Sequence, residues 1–271
     1  GFVSLEVSPD LARDTAGTLA EARRLWREVG RPNLMVKVPG TAAGVPAIRT
    51  LISEGINVNV TLLFAQAAYR AVAAAYLDGL EARAAASAKI DGAASVASFF
   101  VSRIDTAVDA ELEKKIAAIG NAGAARADLE ALRGKAAIAN AKLAYRHYQE
   151  LSGSPRWKKL AAAGARPQRL LWASTGSKNP AYRDVVYVEE LVGADTVNTL
   201  PPATLDAFID HGVARASLTE DVDAARRELE TLARHGISLD AVTDRLLDEG
   251  VRLFAEAFDK LLGAVRAQAK A

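Results

Sequence analysis

The chain has 271 residues, of which half are hydrophobic and a quarter are charged, and its formal net charge is +1. This length allows one large core or two modest domains, and so balanced a charge gives no electrostatic case for nucleic acid or an anionic membrane as partner. Cysteine is absent, which excludes disulfides, thiolate metal sites and cysteine nucleophiles. A reducing cytoplasm fits this composition and is the location we expect.

Metal ligands and membrane spans are also poorly represented. The histidines are His147, His211 and His235, and each lies in a charged, helix-like context, which disfavours a histidine-rich metal site. No segment reaches the roughly 18 consecutive apolar residues that indicate a membrane span. The chain opens on the strand-like "GFVSLEV" without an initiator methionine, so we expect a further segment before Gly1.

Short apolar runs alternate along the chain with longer, alanine-rich amphipathic runs. The short runs predict six β-strands, over residues 2–7, 34–38, 56–64, 93–101, 168–174 and 195–201. The first predicted helix follows Ser8 as N-cap, with Pro9 at its first position, and ends at Gly30. Later helices are predicted over residues 41–54, 65–86 and 182–192 and from Leu239 to the end. The segment 120–134 is predicted as a loop with a weak helix, and 135–153 as a strong helix.

Strands that alternate with helices of this length predict a parallel sheet with helices outside it. A doubly wound open sheet and a (β/α) barrel both fit this pattern. Neither G-x-G-x-x-G after the first strand nor G-x-x-x-x-G-K-[ST] anywhere occurs in the sequence, so the nucleotide-binding folds lose support. In a barrel, the active site would lie at the carboxyl ends of the strands.

Polar residues occur at or near the end of every predicted strand. Buried parallel strands are usually almost continuously apolar, so this recurrence indicates a site, although any single residue could simply meet solvent at a strand end. The residues are Glu6, Lys37, Asn57, Asn59, Thr61, Ser98, Ser102, Arg103, Ser174, Thr175, Ser177, Lys178, Asn198 and Thr199.

Lys37 stands inside the apolar run "NLMVKVPGT". Burial disfavours a charged amine, and a neutral amine can attack a carbonyl to form a Schiff base. Alternatively, Lys37 extends from the strand end into solvent or forms an ion pair with Glu6 of the neighbouring strand. Near a catalytic water, Glu6 could instead belong to an acid–base relay. Arg103 and Lys178 each precede or begin a helix and could bind phosphate, or could be solvated surface cations.

Six motifs together resemble transaldolase, specifically the longer bacterial type found alone or fused to glucose-6-phosphate isomerase. They are "VSLEV", "LMVKVPGTAAGVPAI", "GINVNVTLLF", "ASVASFFVSRIDTAVD", "LLWASTGSKNPAY" and "ADTVNTLPPATLDAF", in family order and spread over nearly the whole chain.

The resemblance implies roles for individual residues. Lys37 matches the lysine that forms the Schiff base, Glu6 the glutamate that positions the catalytic water, and Thr61 the threonine that holds this water. The implied substrate-binding residues are Asn59, Ser98, Arg103, Ser177 and Lys178. Arg103 matches an arginine that binds the substrate phosphate. Lys178 falls where shorter family members carry a second phosphate-binding arginine, and keeps its charge without the two-pronged geometry.

In the family, "VSLEV" is the third strand of an eight-stranded TIM-type barrel. The first strand there carries an acid–base aspartate and the second is followed by a substrate-binding asparagine, and nothing in this sequence matches either. We therefore expect residues 1–271 to form a single α/β-barrel domain that supplies strands 3 to 8. The barrel would be completed by a segment before Gly1 or by another chain, for instance in a homo-oligomer, because open sheet edges favour aggregation.

The implied activity is transfer of a dihydroxyacetone unit from a ketose phosphate, sedoheptulose 7-phosphate or fructose 6-phosphate, to an aldose phosphate in the pentose phosphate pathway. It would need no metal or organic cofactor, because the lysine imine serves as the electron sink. Alternatives are another class I Schiff-base aldolase acting on a phosphosugar, a non-catalytic truncated barrel fragment, and one half of a bifunctional polypeptide. An assay of several donors and acceptors, and a comparison with a chain extended at its N-terminus, would separate them.

Overall fold

A computed structural model describes residues 1–120 and 123–268, and its centre is one parallel sheet. The strands are β1 (Val3–Glu6), β2 (Leu34–Pro39), β3 (Val58–Leu63), β4 (Ser95–Phe100), β5 (Arg169–Ala173) and β6 (Val197–Asn198). They pair in chain order, each parallel to the next. A doubly wound sheet reverses its strand order at a switch point. The order here never reverses, so the α/β prediction is confirmed and the winding is that of a TIM-type barrel.

Helices connect the strands and cover the sheet. They are α1 (Thr15–Val29), α2 (Gly44–Glu54), α3 (Gln66–Ala85), α4 (Ser102–Ile119), α5 (Gly123–Ala131), α6 (Ala136–Gly153), α7 (Pro155–Ala162), α8 (Val186–Glu189), α9 (Pro202–His211), α10 (Val222–Arg234) and α11 (Leu239–Gln268). Short 3-10 turns lie at Pro9–Leu11 and Ser217–Thr219. The parts of the predicted loop and of the predicted last helix that fall on residues 121–122 and 269–271 lie outside the described residues.

The start of the first helix differs from the prediction. Pro9 begins only a 3-10 turn, and the Ser8 side chain makes no capping hydrogen bond. Helix α1 begins later, where Asp14 Oδ1 accepts a hydrogen bond from the Gly17 amide at 3.0 Å. A carboxylate at the N-cap satisfies an amide that the helix leaves free, so Asp14 defines the true start. The predicted end is confirmed, because Gly30 adopts φ 57° at the C-cap.

Two predicted elements are much shorter than expected. The helix expected over residues 182–192 is reduced to Val186–Glu189, and the strand expected over 195–201 is reduced to Val197–Asn198. In both segments the backbone is held by side-chain and capping contacts rather than by regular backbone hydrogen bonding. Tyr182 and Tyr187 are hydrogen-bonded to carboxylates of α4, and Pro201 already serves as the N-cap of α9.

One hydrophobic cluster extends from Val7 to Leu246 and fills the space between the sheet and the helices. Every residue of β3 and β4 is buried. Within the described residues, no helix is long and apolar enough to cross a membrane. Burial on both faces leaves the carboxyl edge of the sheet as the place where polar side chains can meet.

Candidate active site

The strand register places three of the predicted site residues in one row. Glu6 of β1 lies opposite Lys37 of β2, and Lys37 lies opposite Asn59 of β3. Neighbouring strands are about 4.8 Å apart, and opposed residues point to the same face. The structure therefore brings a carboxyl group, an amine and a carboxamide together on one face of the sheet.

Lys37 and Glu6 form a loose ion pair. Lys37 Nζ lies 3.4 Å from Glu6 Oε2, and each side chain is 23% exposed. A close charge-assisted hydrogen bond would measure about 2.7–2.9 Å. Burial raises the pKa of Glu6, and the positive charge of Lys37 only partly opposes this shift. A carboxyl group with a raised pKa beside an amine can exchange protons during addition of that amine to a carbonyl.

Asn59 is held by two serines, Ser4 of β1, two strands away, and Ser98 of the adjacent strand β4. Its Nδ2 donates to Ser4 Oγ at 2.9 Å, and its Oδ1 accepts from Ser98 Oγ at 2.7 Å. The carboxamide is nearly buried and keeps one N–H free of these two bonds. These contacts fix its orientation, so Asn59 can present a donor to a hydroxyl or a developing negative charge.

Thr61 is fully buried, and within the described residues no protein group hydrogen-bonds its hydroxyl. A buried hydroxyl without a partner costs about 1–3 kcal/mol, which favours a water or a ligand hydroxyl beside it. The strand ladder shifts its register between Val60 and Leu63, and Leu62 adopts φ 59°. A bulky residue in this left-handed region is strained, and such strain clusters at functional sites.

The ends of β4 and β5 are joined beside Arg103. The Ser102 amide donates to Ser174 O at 3.0 Å, and their hydroxyls lie 2.9 Å apart. Arg103 is the second residue of α4, and its guanidinium lies over the Phe100 ring, with Cζ 5.6 Å from the centroid. A stacked guanidinium at a helix N-terminus can bind an anion through its N–H groups.

The structure places Ser177 and Lys178 in the exposed loop after β5. Ser177 Oγ donates to Asn179 O at 3.1 Å, and Lys178 lines a cavity of about 320 Å³ together with Asp109 and Glu113 of α4. Carboxylates in that lining would repel a phosphate. The phosphate-binding roles of these two residues stay predictions.

Sequence reasoning missed two acid–tyrosine contacts behind this loop, one buried and one partly buried. Asp105 accepts from Tyr187 OH at 2.8 Å and from the Ala137 amide at 2.7 Å, and Asp109 accepts from Tyr182 OH at 2.7 Å. Burial raises the pKa of Asp105 to about 7. The signal in the sequence was two aspartates four residues apart, which lie on one face of a helix with apolar neighbours.

Sequence reasoning also missed Phe254 of α11. The ring of Phe254 faces Lys37, and its centroid lies 5.0 Å from Lys37 Nζ. The only local signal was the apolar spacing of Leu246, Gly250 and Phe254, one helical turn apart. That spacing predicts a packed helix face but does not say what the face packs against.

Known transaldolases resemble this chain over nearly its whole length. Residues 1–265 match the family model described as transaldolase/fructose-6-phosphate aldolase. A transaldolase of Thiobacillus denitrificans is 54% identical over 265 residues, which cover 98% of this chain and 71% of that protein. Transaldolases of Thermobifida fusca and Trichodesmium erythraeum are 51% and 48% identical over 99% and 100% of this chain, again covering 71% of each relative. The chain belongs to the transaldolase/fructose-6-phosphate aldolase family.

Proposed function

We propose that this chain is a transaldolase in which Lys37 transfers a dihydroxyacetone unit between sugar phosphates through a Schiff base. The observation that carries the proposal is the row of Glu6, Lys37 and Asn59, an amine between a proton-exchanging acid and an oriented carboxamide. The transaldolase names of relatives about 50% identical support it.

The chemistry follows from these groups. Lys37 Nζ adds to the ketose carbonyl, and the carbinolamine loses water to give an iminium ion. The carbon–carbon bond beyond the adjacent hydroxyl-bearing carbon then breaks. Its electron pair moves into the iminium to give an enamine, and the hydroxyl on the departing carbon loses its proton to become the carbonyl group of the aldose phosphate that leaves. The remaining enamine attacks a second aldose phosphate, and hydrolysis frees Lys37.

The neighbouring side chains have separate tasks in this sequence. Glu6, through a water held by Thr61, moves protons as water leaves and returns. Asn59 and Ser98 hydrogen-bond substrate hydroxyls. Arg103 binds the phosphate, with Ser177 and Lys178 contributing when their loop approaches it. No step of this chemistry requires a metal or an organic cofactor.

We further infer that β1 to β6 are strands 3 to 8 of an eight-stranded barrel formed by a single catalytic domain, and that the protein works in the cytoplasm. Exposed apolar residues of and beside the edge strand β1 support this assignment, since Phe2, Val3 and Leu5 are 43%, 65% and 40% exposed. The greater length of the relatives supports it too. Two further strands, from a preceding segment or from a second copy of the chain, would cover these residues.

Borohydride reduction in the presence of fructose 6-phosphate tests the activity. We expect a dihydroxyacetone-derived or hexose-derived adduct on Lys37, located by peptide mass spectrometry, and none in Lys37→Arg. The chain should be compared with a version extended at its N-terminus, because completion of the barrel is expected to raise the yield. An adduct on another lysine, or none in either version, would overturn the proposal. If the adduct forms on Lys37, a panel of sugar-phosphate donors and acceptors would distinguish a transaldolase from another class I aldolase.

A further inference from the structure

The aromatic ring of Phe254 covers the amine of Lys37. The Nζ atom lies over the ring face, 5.0 Å from its centroid, and the ring is partly buried against the core. The face of an aromatic ring is electronegative, and it attracts a cation within about 6 Å. Lys37 therefore meets two negative groups of different kinds: the Glu6 carboxyl group at 3.4 Å and the ring of Phe254.

Buried contacts hold helix α11 in place close to Phe254. Val242 and Leu246 are buried in its first turns, and Gly250 passes so close to Leu62 that an added Cβ would lie 2.9 Å from Leu62 Cδ2. A glycine at this position lets the helix approach the strained end of β3. Because Leu246, Gly250 and Phe254 are four residues apart, they share one face, and the close contact at Gly250 directs Phe254 towards Lys37.

Ion pairs secure the same helix from two sides. Arg13 binds Asp248 at 2.6 Å, and Arg245 binds Glu111 of α4 at 2.7 Å. Each is an exposed pair and contributes little alone. Together with the buried contacts they fix the rotation of the helix about its axis, which decides whether residue 254 faces Lys37.

The two negative groups differ in what they can do with a proton. Glu6 can take a proton from the amine, so it cannot both relay protons and remain a constant counter-charge. An aromatic ring stabilises a positive charge and accepts no proton. In Schiff-base chemistry the nitrogen of Lys37 carries positive charge as an ammonium group and again as the iminium ion.

We propose that Phe254 stabilises the positive charge on the Lys37 nitrogen in the iminium intermediate, which leaves Glu6 free to relay protons. This inference rests on the proposed Schiff-base function. It gives α11 a catalytic task besides packing, since its ring contacts the reacting nitrogen.

Graded replacement of Phe254 tests the proposal. Phenylalanines carrying one, two or three ring fluorines weaken the negative face of the ring with little change in size. We expect the fraction of enzyme trapped by borohydride at saturating fructose 6-phosphate to fall with each fluorine. Phe254→Leu should lower it by about 3- to 30-fold, and Phe254→Trp should retain it.

The matched control is the same series at Phe258, one turn further along α11 and also partly buried. Replacements there should leave the trapped fraction unchanged. Inhibition by glucitol 6-phosphate, which has no carbonyl group, should be the same in every variant, because the ring acts only once the nitrogen bond to substrate forms.

The outcomes separate this inference from the function on which it rests. A trapped fraction that is the same across the fluorinated series, with normal trapping in the unmodified protein, would show that Phe254 only packs and would overturn the inference. Absence of trapping both in the unmodified chain and in its N-terminally extended version would overturn the proposed function. If Phe254→Leu does not fold, the fluorinated series still decides, because its members keep the shape of the ring.

Discussion

Asn57, immediately before β3, and Asn59, the second residue of that strand, lie two positions apart along the chain, and their hydrogen-bond partners differ in kind. Asn57 donates to the carbonyls of Pro32 and Leu34, each at 2.9 Å, and accepts from the Ala94 amide at 2.9 Å. Among the described residues, the side chain of Asn59 instead forms hydrogen bonds only with the hydroxyls of Ser4 and Ser98. Both are buried asparagines of the same parity, yet the first binds backbone and the second binds side chains.

The difference teaches how to distinguish a structural polar group from a functional one. At the amino end of the sheet, Asn57 and Ser95 satisfy backbone groups of neighbouring segments, and Ser95 Oγ donates to Val58 O. At the carboxyl end, Lys37 and Glu6 pair loosely and Thr61 has an unused hydroxyl. A polar group bound to backbone stabilises the fold, whereas one with unused bonding capacity is available to a ligand.

The largest expected effect comes from a comparison of two lysines, the partly buried Lys37 and the buried Lys142. Lys37→Met should lower turnover by roughly 10⁴-fold or more, because the proposed nucleophile is lost. Lys142 is buried, and it donates to Glu220 O at 3.1 Å and lies 3.6 Å from Glu190. Lys142→Met should instead lower the free energy of unfolding by about 1–3 kcal/mol. Turnover assays and urea titrations on both variants measure this; equal turnover in the two would contradict the assignment of Lys37.

The two asparagines provide the next test. Asn57→Ala removes three hydrogen bonds and leaves buried backbone groups unpaired, so the free energy of unfolding should fall by about 3 kcal/mol. Asn59→Ala should reduce turnover by roughly 10²-fold while costing less stability. Denaturant titration and steady-state kinetics on each variant compare them. A stability loss at Asn59 as large as that at Asn57 would remove the contrast between the two ends of the sheet.

Asp105 extends the comparison to a buried acid. Its pKa is raised to about 7 in the folded state, mainly by burial, from an ordinary value of 3.8. The unfolded chain therefore releases this proton at lower pH, so its contribution is fully present below about pH 4 and is lost as pH rises through about 7. The loss between pH 5 and pH 8 should be about 2–3 kcal/mol.

Asp105→Asn should flatten the pH dependence of unfolding, because the amide cannot ionise. Guanidinium titrations of both proteins between about pH 4 and pH 8 give the difference that belongs to this group. A variant that loses stability with rising pH as steeply as the parent would show that Asp105 ionises normally. Any accompanying change in turnover would report on the packing of α8 against α4, which Tyr187 and Asp105 join.

The smallest expected effect is an increase in the free energy of unfolding, whereas the lysine and asparagine substitutions above lower it or lower turnover. Thr61→Val removes an unpaired buried hydroxyl at nearly constant volume, so it should raise the free energy of unfolding by about 1 kcal/mol while lowering turnover. Thr41 is the matched control, since its hydroxyl donates to Ala12 O at 2.5 Å and accepts from the Gly44 amide at 3.0 Å. Thr41→Val should destabilise the protein. Calorimetric melting of both variants measures these changes in stability. If Thr61→Val lowers the stability, the Thr61 hydroxyl already has a hydrogen-bond partner.

Local patterns in the sequence were enough for the strands, their parallel arrangement and the unusual position of Lys37. Apolar runs of strand length between amphipathic runs are a local property, and so is a lysine inside such a run. Family motifs added roles that no periodicity contains. These patterns also erred locally, at Ser8, over residues 182–192 and in the length of the strand predicted over 195–201. Asp14, the contacts of Tyr182 and Tyr187, and the N-cap at Pro201 determine the backbone there.

Only the tertiary structure decided which polar groups meet. Strand register, not spacing along the chain, opposes Glu6 to Lys37 and Lys37 to Asn59. Packing over more than two hundred residues of sequence brings Phe254 onto Lys37, because Gly250 allows α11 to approach Leu62. A hydrophobic pattern predicts that a residue is buried, but it does not predict which residues pack against it. The partners of a buried charge are therefore determined only by the folded chain.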